Sequence, residues 1–167
     1  DPRNVGGSNW YLTPDTSGHC FYESEILPSS MDEDTTWNCV LYVDHHDDTG
    51  RDQQAIEEQA LAFALGSGGA TLEGTRYDRY DVSAAPISLG RPFGSNAGAS
   101  ITQMFAYRAM AWMTGAPASN ILFKSDAGLL KPWLTLSSGG NSFWASGDGF
   151  AQAITASGDA TSIDFLQ

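Results

Sequence analysis

Residues 37–50 read WNCVLYVDHHDDTG, an apolar run that ends in a polar, acidic turn. The apolar part contains the unbroken segment Val40–Val43. A half-exposed strand alternates apolar and polar side chains, whereas a strand covered on both faces does not alternate. The run therefore predicts a strand over residues 37–43 that is buried on both sides.

The segment after this turn has the pattern of an amphipathic helix. Asp52 is a suitable N-cap, and four apolar residues at helical spacing form one stripe, namely Ile56, Ala60, Phe63 and Ala64. Gly66 and its neighbours end the pattern. The sequence therefore predicts a helix over residues 53–65.

A second helix over residues 101–113 competes with a strand. Ser100 and Gln103 form the pattern of a capping box, which marks a helix start, and Gly115 would end the helix. A long strand would instead place Ile101, Phe105 and Tyr107 on one face. Both interpretations stay open at the level of the sequence.

Beyond Asn120, short apolar segments alternate with turns rich in Gly, Ser and Asp about every ten residues. This spacing is typical of antiparallel β structure. The segments are 121–123, 133–136, 143–145, 150–155 and 163–166. The predicted fold is therefore mainly β, an antiparallel sandwich or barrel of jelly-roll type with one or two helices, and the alternative is an α+β fold.

The 167 residues are expected to form a single domain over 1–167, with an uneven distribution of charge. Residues 1–84 carry 16 acidic and 4 basic side chains, and residues 85–167 carry four of each. The net charge of −12 therefore lies in an acidic first half. We expect this half to face solvent, and we expect contacts with partners in the neutral half.

The composition argues against two classes of partner. Only Lys124 and Lys131 are lysines, and no basic cluster is present, so nucleic-acid binding is not expected. No apolar run approaches the ~20 residues that span a bilayer, so membrane insertion is not expected.

The start at Asp1 is typical of a cleaved precursor, which favours an extracellular or virion-surface location.

The two cysteines, Cys20 and Cys39, can be read in two ways. In an exported chain an even number of cysteines favours a disulfide, which would contribute ~3 kcal/mol across a loop of this size. In an intracellular chain the same residues would be buried thiols. The disulfide is the preferred interpretation.

The most compact cluster of candidate metal ligands is Asp44, His45, His46, Asp47 and Asp48, at the end of the predicted buried strand. Carboxylate oxygens and imidazoles bind cations, and Ca²⁺ is the preferred candidate. The alternative is a solvated acidic turn. No other cofactor is expected.

A second candidate site is aromatic and lies in the neutral half. Trp133, Phe143 and Trp144 occur among small residues, as in sugar-binding and protein-binding faces, although core packing is the alternative. No catalytic residues are assigned, because the Gly-x-Ser-x-Gly signature of α/β-hydrolases is missing.

Three classes of function follow from these features. The preferred one is a non-enzymatic structural protein that contacts other subunits, in a homo- or hetero-oligomer, as a virion coat, decoration, tail or fibre component or a surface appendage. The second is a secreted β-sandwich module that binds carbohydrate or protein. The third is a small secreted hydrolase.

Overall fold

The computed structural model describes residues 2–5, 8–14, 21–25, 40–45, 54–65, 76–82, 88–91, 98–115, 121–136 and 140–167. Strands β1 (Pro2–Val5), β2 (Ser8–Pro14) and β3 (Phe21–Glu25) form an antiparallel sheet in the order β1-β2-β3. In this sheet the backbone of Trp10 lies opposite Arg3 on one side and Glu25 on the other.

The second sheet contains four strands, all parallel. They are β4 (Val40–Asp44), β5 (Asp78–Asp81), β6 (Ala109–Gly115) and β7 (Ser142–Gly147), in the order β5-β4-β6-β7. The predicted antiparallel sandwich, barrel or jelly roll is therefore wrong, as is the α+β alternative. The chain has an α/β architecture, in which helices connect and cover parallel strands.

Strand β4 confirms the prediction made from the apolar run over Val40–Val43, and residues 37–39 lie outside the described residues. The strand lies between β5 and β6, and Leu41, Tyr42 and Val43 have no solvent exposure.

The predicted helix over 53–65 is also confirmed, as α1 (Gln54–Ala64), but its predicted apolar stripe is wrong. Ile56, Ala60, Phe63 and Ala64 are exposed, and Leu61 and Leu65 pack on the sheet instead. The predicted N-cap, Asp52, lies outside the described residues.

The ambiguous segment 101–113 contains a helix and a strand in succession. Helix α2 (Ile101–Met104) begins with the predicted capping box, in which Ser100 and Gln103 bond each other's backbone N–H groups. Strand β6 then starts at Ala109, and all its residues from Met110 onward are buried. The predicted helix start is confirmed, but the extension of the helix to 113 is wrong. A strand is present only from Ala109, so the predicted strand face of Ile101, Phe105 and Tyr107 is wrong as well.

The main error lies after residue 120, where three of the five predicted short strands are helical. Residues 133–136 belong to α3 (Lys124–Leu136), 150–155 to α4 (Phe150–Ser157) and 163–166 largely to α5 (Ala160–Phe165). Residues 121–123 are irregular, and only 143–145 lie in a strand, β7. The apolar positions follow a helical period, as Phe150, Ala153 and Ile154 show.

The two faces of the parallel sheet carry two apolar clusters. Leu41, Met110 and Trp112 point to the face covered by α3, in a cluster that includes Leu130 and Trp133. We call this side the α3 face. Tyr42, Ala111 and Met113 point to the opposite side, where Leu61 and Leu65 pack at the end of α1, and we call it the α1 face.

Candidate functional site

The carboxyl ends of the four parallel strands lie side by side at one end of the sheet. The backbone links them there: His45 N donates to Met113 O over 2.7 Å, and Asp148 N donates to Gly115 O over 2.8 Å. In open parallel sheets, ligands commonly bind beyond the carboxyl ends of the strands, at the point where the strand order reverses. The reversal in this chain lies between β4 and β6.

The structure separates Asp44 from His45, the two predicted metal ligands that it describes. Oδ2 of Asp44 lies 2.6 Å from Nη2 of Arg79, on the α1 face. The ring of His45 lies near Trp112 and Phe123, with centroid distances of 6.0 and 6.5 Å. These contacts are on the α3 side, because adjacent residues of a strand point to opposite faces.

The other three predicted ligands, His46, Asp47 and Asp48, lie outside the described residues, as do Cys20 and Cys39. Over the part of the chain that the structure describes, no three His, Cys, Asp or Glu side chains form a group that could hold a metal ion. The metal site and the disulfide both stay predictions.

Arg79 is the centre of a charged cluster that the sequence did not reveal. Its guanidinium contacts Asp44, and it lies 3.5 Å from Asp81 and 3.8 Å from Glu58. The contact with Asp44 joins two neighbouring strands that are 35 residues apart in the sequence. Knowledge of the strand order is needed to find it.

Tyr42 extends this cluster towards α1. Its hydroxyl donates to Oε2 of Glu57 over 2.8 Å. Burial raises the pKa of Tyr42 well above its ordinary value, and the charge of Asp44 and the bond to Glu57 act in the same direction. The phenol therefore stays protonated and serves as a donor between the sheet and α1.

Two shallow cavities lie beside α4. The larger, of about 350 Å³, is lined by Asp148, Gly149, Gln152, Ala153 and Ala156. The smaller, of about 140 Å³, lies between α4, α5 and the segment around Phe123. The larger cavity is shallow and has two polar side chains, Asp148 and Gln152. The smaller is below the ~300 Å³ of typical ligand pockets, although Lys124, Ser157, Asp159 and Ser162 line it.

The three predicted binding aromatics have different surroundings. Trp133 has no solvent exposure, and its indole N–H donates to Tyr107 O over 3.1 Å, so it is part of the core. Phe143 is partly buried on the α3 face and packs edge-on against Phe165, with centroids 5.3 Å apart. Trp144, the next residue, points to the other face and is 59% exposed.

Trp144 lies on a strand that ends the sheet. β7 pairs with β6 only, which leaves its second side open among the described strands. Trp144 is in register with Ala111, and Ala111 is in register with Tyr42, so all three belong to the α1 face. Helix α1 packs on this face near Tyr42, and the indole of Trp144 extends the face towards solvent.

The comparisons with known proteins identify no relative. No protein-family model, no curated protein and no solved structure matches the chain. No described helix combines the length and apolar character that a membrane crossing requires. The fold and the site define the class only as an α/β domain with a four-stranded parallel sheet.

Proposed function

We propose that the protein is a non-enzymatic assembly component that contacts another protein chain through strand β7. This is the class of function that the composition favours, a subunit of a virion or of an extracellular surface appendage. The single observation that carries the proposal is the exposure of Trp144, at 59%, on an edge strand that has no charged residue.

The two edges of the parallel sheet differ in chemistry. Edge strand β5 has the sequence Asp78-Arg79-Tyr80-Asp81, with three charged residues of four. Edge strand β7 has the sequence Ser-Phe-Trp-Ala-Ser-Gly, with none and without proline. Natural proteins protect exposed edges with charges, proline or bulges, because an open edge pairs readily with another strand. β5 has such charges, although Asp78 is buried. β7 has neither charge nor proline, and its pairing with β6 is irregular only between Met113 and Gly115.

Burial of Trp144 would supply a substantial part of a binding free energy. An aromatic side chain buries 150–250 Å² in contacts of this kind, and more than half of Trp144 is exposed. At 25 cal/mol per Å², covering this surface corresponds to a transfer free energy of about 3 kcal/mol, from which the cost of association is subtracted. Tryptophan is also among the residue types that dominate protein–protein interfaces.

The proposal is tested by hydroxyl-radical footprinting of the protein as isolated from its source and of the purified chain at nanomolar concentration. We expect Trp144 to be oxidised several-fold more slowly in the native material. Phe63, which is 80% exposed on α1, is the internal control and should react equally in both samples.

Three outcomes would overturn the proposal. Equal oxidation of Trp144 in both samples would show that this face is not covered. Protection of Phe63 alone would place the contact on α1. Protection of Trp144 by soluble oligosaccharides, with no protein bound, would assign a sugar-binding face.

A further inference from the structure

We infer that the partner of β7 is a second copy of the same chain, an inference that rests on the proposed function. Two β7 strands would pair antiparallel about a twofold axis perpendicular to the sheet. The two four-stranded sheets would then form one sheet of eight strands. A twofold contact of this kind uses the same patch on both subunits and closes after two copies.

The pleat of the strand limits the register of this pairing. Residues that lie opposite each other on antiparallel strands point to the same face. Trp144 therefore lies opposite Ser142, Trp144 or Ser146 of the partner subunit. The register centred on Trp144 places the two indoles together and sets each Ser142 opposite the partner subunit's Ser146. It brings no two charges of equal sign into contact along the strand.

Exposed side chains of opposite charge lie near the two ends of β7, Arg108 just before the neighbouring strand β6 and Asp148 just after β7. Arg108 is exposed beside the first residue of β7, because its carbonyl accepts the N–H of Ser142 over 2.8 Å. Asp148 is exposed and follows the last residue of β7. Antiparallel pairing brings Arg108 of one copy and Asp148 of the partner subunit to the same end of the joined strands, at both ends.

The distribution of net charge also favours this arrangement. The net charge of −12 lies in residues 1–84, and residues 85–167, which include β7, are neutral in sum. A contact through β7 brings neutral segments together, whereas a contact between two acidic halves would be repulsive. The joined strands are short, so we expect a weak and reversible dimer with a dissociation constant of about 1–100 μM.

Sedimentation equilibrium of the purified chain between 1 μM and 1 mM tests the inference. We expect the average mass to rise with concentration from 17.8 kDa to about twice that value. Trp144→Ser and, separately, Ser142→Lys should each weaken the dimer by tenfold or more. Both side chains are exposed, so the thermal midpoint of each monomer should change little.

The charged ends provide an independent test. Arg108→Asp and Asp148→Arg should each weaken the dimer, by up to about fivefold for exposed charges. The double variant should recover most of the wild-type affinity, because it exchanges the two charges across the axis. This rescue distinguishes the proposed geometry from a dimer that forms elsewhere on the molecule.

A dimer that neither Trp144→Ser nor Ser142→Lys weakens would overturn the inference. A monomer at all concentrations would also overturn it. If Trp144 were nevertheless protected in the native material, the proposed function would stand with a different protein as the partner. If Trp144 were accessible in that material too, both would fail.

Discussion

The backbone N–H of Gly90 donates a 2.8 Å hydrogen bond to Oδ1 of Asp126, a carboxyl group with no solvent exposure. The same group accepts the N–H of Phe123 over 2.9 Å and the hydroxyl of Ser88 over 3.1 Å. Asp126 lies in the first turn of α3, and Gly90 belongs to the segment that precedes α2. One carboxyl group thus joins two distant parts of the chain on the α3 face.

The first prediction concerns the pH dependence of this contact. Burial raises the pKa of Asp126 above its ordinary value of 3.8, and the hydrogen bonds from Gly90 and Phe123 partly oppose that shift. The folded state then holds the proton more tightly than the unfolded state, so stability falls as pH rises from about 4 through the raised pKa. Asn cannot ionise, so Asp126→Asn should remove this part of the pH profile.

Urea unfolding of the wild type and of Asp126→Asn from pH 4 to pH 8 measures the effect. The variant should be less stable throughout, by about 1–3 kcal/mol, because its amide N–H₂ would face the N–H of Phe123 or Gly90. The advantage of the wild type should be largest near pH 4. A difference that does not change with pH would contradict the prediction.

The second prediction concerns the close packing of Gly90 on α3. A Cβ atom at this position would collide with the backbone carbonyl of Ser125, which cannot move without distorting the start of the helix. We expect Gly90→Ala to lower the free energy of unfolding by about 1–3 kcal/mol or more.

Gly128→Ala is the matched control for this substitution. A Cβ at Gly128 would meet no atom within 4 Å, and the residue is exposed within α3. Alanine should therefore stabilise the protein by about 0.5–1 kcal/mol through its higher helix propensity. Thermal unfolding of the two variants should give shifts of opposite sign, and shifts of equal sign would show that Gly90 is not tightly packed.

The strand at residues 40–44 could be predicted because its signal is local. An unbroken apolar run requires cover on both faces, and a central strand of a parallel sheet has such cover. The helix over 53–65 was also predictable, but its buried side was not, because the predicted stripe residues Ile56 and Phe63 are exposed. Neither signal states which strand is the neighbour, so the parallel order did not follow from either.

The antiparallel interpretation failed because a short apolar segment fits both the helical period of 3.6 residues and the strand period of two. Phe150, Ala153 and Ile154 fit a helix stripe, yet the glycines around them resemble the turns of a β meander. Gly149 and Gly158 have positive φ and mark the two ends of α4 rather than hairpin turns. Local glycine spacing alone does not separate these two structures.

The exposure of the candidate binding residues could not be predicted from local sequence either. Composition placed Trp133 and Trp144 in the same aromatic group, but one is fully buried and the other is 59% exposed. The difference arises because Trp133 lies on the helix face that packs on the sheet, whereas Trp144 lies at the open edge. Exposure therefore depends on sheet order, which is a non-local property of the chain.

The third prediction concerns a buried hydrogen bond across the core. The hydroxyl of Tyr107 donates to Oδ2 of Asp78 over 2.5 Å, and both side chains are at most 1% exposed. Removal of a donor from a buried carboxyl group is costly, so Tyr107→Phe should lower the free energy of unfolding by about 1–3 kcal/mol.

Tyr80→Phe is the comparison for this variant. The hydroxyl of Tyr80 donates to the uncharged carbonyl of Ser88 over 2.9 Å and is only partly buried. Its loss should therefore cost about 1 kcal/mol. Chemical denaturation of both variants at pH 7 measures the difference, and an equal cost would contradict the special role of Asp78.

The fourth prediction concerns the charged cluster on the α1 face. Arg79 forms ion pairs with Asp44, Asp81 and Glu58. The side chain of Asp44 is only 4% exposed, so Arg79→Met would leave a buried carboxylate beside two further acidic groups. We expect a loss of roughly 3 kcal/mol in the free energy of unfolding at pH 7.

A double-mutant cycle separates this electrostatic effect from the loss of the arginine side chain itself. Asp44→Asn in the Arg79→Met background removes the buried charge and should recover a large part of the lost stability, whereas Asp44→Asn alone should destabilise the protein. The coupling energy between the two positions is then of order 1–3 kcal/mol. Additive effects of the two substitutions would mean that Arg79 stabilises the sheet through packing, because a direct ion pair between β4 and β5 requires coupling.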